Sequence, residues 1–269
     1  MSKFSARLFI LEMTNSKIYF CSFGEGKPVI FLHGILGTHS QWIPFVKDFS
    51  DCRLIFPDLP NHGRSFHIPS MNYDEFAKIL HEWILSLNIN NITLVGHSFG
   101  GKVAVKLFQN YPNLFQKLIL IDSSNERLST PSSINLWINA IKKIPLHLYS
   151  TYSEAKIFFE KEGIPEQEQE LLLKNIQREK NRLSWRANIS EITENIGLIL
   201  EEIRITFPIT TPTYLIRGEF STHISNNTIS KMKENFPLLK DTVINCSGHW
   251  VHVDNKTEFT QTMLSFLNE

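Results

Sequence analysis

The chain has 269 residues, and its 27 lysines and arginines balance its 27 aspartates and glutamates. That balance leaves no electrostatic footprint for nucleic acid or an anionic membrane surface. Three widely spaced cysteines, Cys21, Cys52 and Cys246, give neither a disulfide framework nor a metal-site pattern. A chain of this size buries roughly 75% of the surface it exposes when unfolded, so a substantial core forms without staples. No segment has the run of about 18 apolar residues that a membrane span requires. The opening "MSKFSARLFILEMTNSK" is stopped by Glu12 before it reaches the length of a secretory signal. These features predict a soluble, cytoplasmic protein that works as a monomer, without nucleic acid or membrane as a partner.

The first half alternates short apolar runs with amphipathic stretches. In chain order the runs are "RLFILEM", "IYFCSF", "PVIFLHG", "RLIFPDL", "ITLVGHS" and "KLILID". The first two, separated by "TNSK", predict a leading antiparallel hairpin. In "NYDEFAKILHEWILSL", Phe76, Ile79, Leu80, Trp83, Ile84 and Leu87 fall on one helical face. Asn72 and Glu75 form a capping pair at its start. A second helix is predicted from Ser98 to about Gln109, ending before Pro112. After "KLILID" the rhythm breaks for about 80 residues of helical pattern, with Pro131, Ser153, Pro165 and Ser190 marking helix starts and no convincing strand. Strands return in "PTYLIRG" and "TVINCS", and "TEFTQTMLSFL" forms a last helix. Strand–helix alternation predicts a mostly parallel sheet with helices on both faces. The domain reading is a core of residues 1–125 and 207–269, interrupted by a helical cap over 126–206. A connection that long is usually functional, often a lid.

The most specific signal is "ITLVGHSFGG". It reads G-x-S-x-G over Gly96, His97, Ser98, Phe99 and Gly100, after a predicted strand and before a predicted helix. Such a turn lifts the Ser98 hydroxyl above the carboxyl ends of the sheet, where ligands bind in open α/β folds. The helix start behind it favours negative charge. Ser98 is the candidate nucleophile; His97, inside the motif, reads as a packed turn residue. When a serine attacks an acyl carbon the oxygen becomes an anion, and two fixed backbone N–H groups can hold it. Phe99 N–H is one candidate. Ile35 N–H, in "VIFLHGILG" after a central strand, is the other. His33 in that loop reads as a structural hydrogen-bonder.

Ten histidines compete for the base. His249, in "INCSGHWVH", lies between the last predicted strand and the last helix, which suits the order serine, acid, histidine of elbow-type sites. His252 packs beneath its loop. His62, in "PDLPNHGRS", is expected to hold its own loop together with Asp58 and Arg64. His39, His67, His81, His147 and His223 carry no supporting context.

Taken together, these motifs resemble the α/β-hydrolase fold, which implies an eight-stranded, mostly parallel sheet. "DLPNHGRSFHIPSMNY", "GHSFGGKVAVKLF", "SWRAN", "IRGEFSTHIS" and "GHWVH" narrow the resemblance to the YbfF-type esterases, small bacterial carboxylesterases with a helical cap. In the wider superfamily the acid follows the seventh strand, where this chain has Ser221. YbfF-type enzymes take it from the end of the sixth, which here is "KLILIDSS" and its Asp122. A carboxylate there, beside the nucleophile strand, reaches the same histidine, fixes its tautomer and stabilises the imidazolium. Glu219, one residue after Gly218, is the rival acid, and Ser221 is expected to hydrogen-bond the His249–Asp122 pair.

The resulting expectation is a serine hydrolase that cleaves carboxylic esters or thioesters of short to medium acyl chains through an acyl-enzyme, with no metal or cofactor. Phe66, Met71, Trp137, Trp185 and Trp250 are the pocket candidates. Perhydrolase and C–C hydrolase chemistry use the same serine arrangement, and a slow-turnover ligand receptor keeps the same fold. A serine at the elbow argues against dehalogenase and epoxide hydrolase chemistry, which need a carboxylate there.

Overall fold

The computed structural model describes residues 18–128 and 132–269. Among them the core is a seven-stranded sheet, interleaved with helices. Its first half contains β1 (Phe20–Phe23), β2 (Lys27–Leu32), β3 (Cys52–Pro57), α1 (Tyr73–Ser86), β4 (Ile92–His97), α2 (Phe99–Asn110) and β5 (Phe115–Ile121). The predicted strand "RLFILEM" and Pro131 lie outside the described residues, so the eighth strand and the leading hairpin are not addressed by the structure. Asn72 caps α1 by accepting from Asp74 N–H at 2.7 Å, without a reciprocal bond from Glu75 among the described residues.

After β5 come α3 (Ser132–Lys143), α4 (Tyr152–Lys161), α5 (Glu166–Lys174), β6 (Ile176–Glu179), β7 (Arg182–Trp185), α6 (Ile189–Glu194) and α7 (Ile196–Leu200). Two details depart from the sequence expectation. The hairpin β6–β7 was not expected, because its four-residue strands are mostly polar and bury little beyond Ile176 and Leu183. The helix starts also differ. α4 is capped by Thr151, in a capping box with Glu154, rather than by Ser153, and α6 follows Asn188 rather than Ser190. The chain then returns to the sheet through β8 (Thr213–Gly218), α8 (Asn226–Asn235), β9 (Leu239–Ile244), the short α9 (Val251–Asp254) and α10 (Lys256–Asn268). Helix α8 buries only Ile229 and Met232, too few to show a helical period in the sequence.

The strand order is β1-β3-β2-β4-β5-β8-β9, with only β1 antiparallel to its neighbour. Side chains alternate between two apolar layers. Along β2, Ile30 and Leu32 face the layer holding Phe76, Trp83 and Val103, while Val29 and Phe31 face the layer holding Trp42, Phe49 and Phe259. The chain turns one way from β2 to β3 and the other way to β4. The crevice above the carboxyl ends of β2 and β4 is therefore the topological switch point, where open α/β sheets place their ligands. Among the described residues no helix is long and apolar enough to cross a membrane.

Candidate active site

Ser98 follows β4 directly. Its backbone sits at φ 52 and ψ −119, a conformation disfavoured for a residue with a side chain, and α2 begins at the next position. Two glycines make this turn affordable: a Cβ on Gly96 would meet Gly100 O at 2.4 Å, and one on Gly100 would meet His33 O at the same distance. A side chain at Gly96 would push β4 off the start of α2, and one at Gly100 would push α2 off the end of β2.

Strand register sets the neighbours. His97 pairs with Ile121, so Ser98 and Asp122 stand at adjacent strand ends. Ser98 N–H donates to Ile121 O at 3.0 Å, and Asp122 N–H donates to Ile216 O on β8 at 2.7 Å. Asp122 is buried, at positive φ (45°). His249 is delivered by the loop after β9. Its Nδ1 lies 2.6 Å from Asp122 Oδ2, and its Nε2 lies 2.9 Å from Ser98 Oγ. A carboxylate is an acceptor, so Nδ1–H donates to it and Nε2 is left to accept from the serine hydroxyl. Ser221 Oγ–H also donates to Asp122 Oδ2, at 2.6 Å.

Glu219, the rival acid, is elsewhere. Its carboxylate is exposed and accepts from Cys246 N–H at 2.8 Å, which braces the turn after β9. The two backbone donors expected to hold an oxyanion, Ile35 N–H and Phe99 N–H, have no partner among the described residues, and both residues line the cavity over Ser98.

One contact was missed from sequence. His223 stacks on His249, with ring centroids 3.8 Å apart, and its Nδ1 lies 3.8 Å from Asp122 Oδ2. Burial, reinforced by the charge of His249, pushes its pKa down to about 4, so it is a neutral ring against the base. Its N–H donates to Ser221 Oγ at 3.2 Å. The available signal was its position two residues after Ser221 on the same loop. Asp122, His223 and His249 offer metal-ligand atoms within 4.8 Å of one another. A metal on His249 Nδ1 would leave Nε2 protonated and unable to accept from Ser98, so the hydrogen-bonded and metal-bound uses exclude each other.

The remaining histidines sort by their contacts. His97 Nε2–H donates to His249 O at 3.1 Å while Nδ1 accepts from Gln41 Nε2 at 3.2 Å, so this packed residue also holds the base's loop. His33 Nε2 accepts from Leu59 N–H at 3.0 Å, the structural role expected of it. His252 packs between Trp42 and His97, kept neutral by burial, which lowers its pKa to about 3. The Asp58 loop is held differently from the expectation. Asp58 accepts from His39 Nδ1 at 2.8 Å, His39 N–H at 2.6 Å and Arg64 N–H at 2.8 Å. His62 turns away, to Pro60 O and the ring of Phe99.

The cavity above Ser98 measures about 210 Å³ and is walled by Ile35, Phe99, Leu128, Ile134, Leu200 and others. Trp137 and Trp250 line it. Three other pocket candidates do not. Met71 is fully buried beneath the Asn61 loop, where its sulfur accepts from Asn61 Nδ2. Phe66 packs against the core. Trp185, on the β6–β7 hairpin, faces a different depression with Ile141 and Ala187.

Comparison with known proteins agrees with this architecture. A family profile described as "alpha/beta hydrolase fold" matches residues 27–256. The chain is 31% identical to a putative esterase/lipase of Haemophilus influenzae, over 90% of this chain and 83% of that protein. It is 28% identical to the sn-1-specific diacylglycerol lipase ABHD11 of Danio rerio, over 91% and 79%. Identity to Esterase YbfF of Escherichia coli is 25%, over 91% and 94%. Among solved structures a marine microorganism esterase superposes with a TM-score of 0.89 at 33% identity, covering 93% of this chain and 99% of that one.

Proposed function

The chain belongs to the α/β-hydrolase family, and on that premise we propose that it is a serine hydrolase cleaving carboxylic esters through an acyl-enzyme. The observation that carries the reading is the continuous relay from Ser98 Oγ through His249 to Asp122, at 2.9 and 2.6 Å. Relatives named as esterases and lipases support it.

In this reading His249 Nε2 takes the Ser98 proton as Oγ attacks the carbonyl carbon. The imidazolium that forms is stabilised by Asp122, which Ser221 orients. The carbonyl oxygen, now an anion, is held by Ile35 N–H and Phe99 N–H; each such donor is worth about 3 kcal/mol of barrier. His249 returns its proton to the leaving alcohol, then activates water to release the acid. At about 210 Å³ the cavity is smaller than the roughly 300–1,000 Å³ of typical ligand sites, which favours short to medium acyl groups.

The test is turnover of p-nitrophenyl esters of graded chain length, with acyl-CoA thioesters alongside. The reading expects a maximum at short to medium esters and loss of turnover in Ser98→Ala. Labelling of Ser98 by a fluorophosphonate with essentially no turnover of any substrate would instead favour a receptor on this fold.

A further inference from the structure

Lys102 lies one turn of α2 beyond the elbow, its N–H donating to Ser98 O at 3.3 Å. Its side chain is 1% exposed and lines the Ser98 cavity. The ammonium donates to Glu126 O at 2.6 Å and to Glu201 O at 2.7 Å. These carbonyls sit on the two stems leading into and out of the segment between β5 and β8. The stems bond to each other, Leu128 N–H to Leu200 O at 3.0 Å and Ile203 N–H to Asn125 O at 2.7 Å.

An ammonium has three donors, and the third has no partner among the described residues. The side chain forms no ion pair there either. The Glu126 carboxylate turns to Lys231 at 3.1 Å, and that of Glu201 lies 3.9 Å from Arg127. Burial lowers the pKa of Lys102 to about 8 against the opposing pull of the Glu126 and Glu202 charges, which leaves it mostly protonated at neutral pH. Burying a cation with no carboxylate in direct contact is costly. Tying two stems together uses two neutral acceptors and does not call for a charge.

Resting on the reading of Ser98 as nucleophile, we propose that the cavity takes esters bearing a second carboxylate, and that Lys102 is the residue selecting them. Ser98 and Lys102 are four positions apart in the chain, a rise of about 6 Å along α2, and both line the cavity. Glu168 also lines the cavity, with its carboxylate engaged by Trp137 Nε1–H. It repels a second carboxylate from that wall and so favours the Lys102 end.

The experiment compares kcat/KM for monomethyl glutarate and monomethyl adipate with methyl valerate and methyl hexanoate. O-butyryl glycolate against ethyl butyrate asks the same of the alcohol half. Wild type is expected to prefer the acidic ester at least about tenfold on one half. Lys102→Met should erase at least about tenfold of that ratio. Should Lys102→Met fail to fold, Lys102→Gln keeps two N–H donors for the stems and removes the charge. Equal or neutral-favouring turnover in wild type, or a ratio that survives loss of the charge, overturns the proposal. No turnover of any ester, with no phosphonate adduct on Ser98, overturns the nucleophile reading and this inference with it.

Discussion

His249 Nδ1 and Asp122 Oδ2 stand 2.6 Å apart across 127 residues of chain. The contact follows from register. Asp122 ends β5, which lies between the strand of Ser98 and β8, and the loop after β9 reaches over β8 to set His249 above both. Asp122→Asn keeps the shape but no longer fixes the imidazole with Nδ1 protonated. It should lower kcat about 10⁴-fold with an unchanged melting temperature. Glu219→Gln, which touches only the Cys246 turn, should change kcat less than about threefold, since its contact lies outside the relay. Steady-state kinetics on the two variants checks both.

Ser221→Ala removes one of the two donors to Asp122 Oδ2 and the acceptor for His223 N–H. A hydrogen bond to a charged group is worth about 1.5–3 kcal/mol, so kcat should fall about 10- to 100-fold. KM should change little, because Ser221 does not line the Ser98 cavity. A rise in KM at constant kcat would mean that Ser221 contacts substrate instead.

His223 presents a neutral ring to His249. His223→Phe keeps a flat neutral ring and should retain activity within about fivefold. His223→Lys sets a cation beside the imidazolium that forms during attack, and like charges disfavour that state. Its kcat should fall at least about 100-fold. Equal losses in both variants would reduce His223 to packing.

His39 and Asp58 tie the loop after β2 to the end of β3. Burial pulls the His39 pKa down, but its bonds to Asp58 and Cys21 outweigh this and raise it to about 9. A raised folded-state pKa stabilises fully below the unfolded value near 6.5 and loses that contribution as pH rises through about 9. Asp58 moves the other way. Burial raises its pKa, the bonds and charge of His39 lower it further, and its contribution is lost as pH falls toward the acid range. His39→Leu should therefore cost about 1–3 kcal/mol at pH 6, with the gap to wild type narrowing by pH 10, where neutral His39 still donates Nδ1–H to Asp58. Thermal melts at the two pH values read this directly.

What the sequence made legible was local. The Ser98 elbow is a single strand–turn–helix motif with its glycines in place, and His249 sits in a loop whose position between strand and helix is visible. Asp122 was reachable only through family resemblance, since its partner is chosen by strand adjacency that no local pattern records. His223 and Lys102 were not legible. One acts through a stacked ring and the other through two backbone carbonyls 24 and 99 residues away, and neither leaves a periodic trace. The same reason hid the pairing of His39 with Asp58 and put Met71, Phe66 and Trp185 in the wrong pocket. A bulky apolar residue near a functional loop looks alike whether it faces the cavity or the core. Helix α8 and the β6–β7 hairpin escaped because each buries too few apolar side chains to show a period.

Intact-mass and peptide mapping of a fluorophosphonate adduct tests the relay most directly. The account predicts one adduct, on Ser98, absent in Ser98→Ala, formed orders of magnitude more slowly in Asp122→Asn and at the wild-type rate in Glu219→Gln. An adduct on another residue, or labelling that is indifferent to Asp122 and dependent on Glu219, would contradict it.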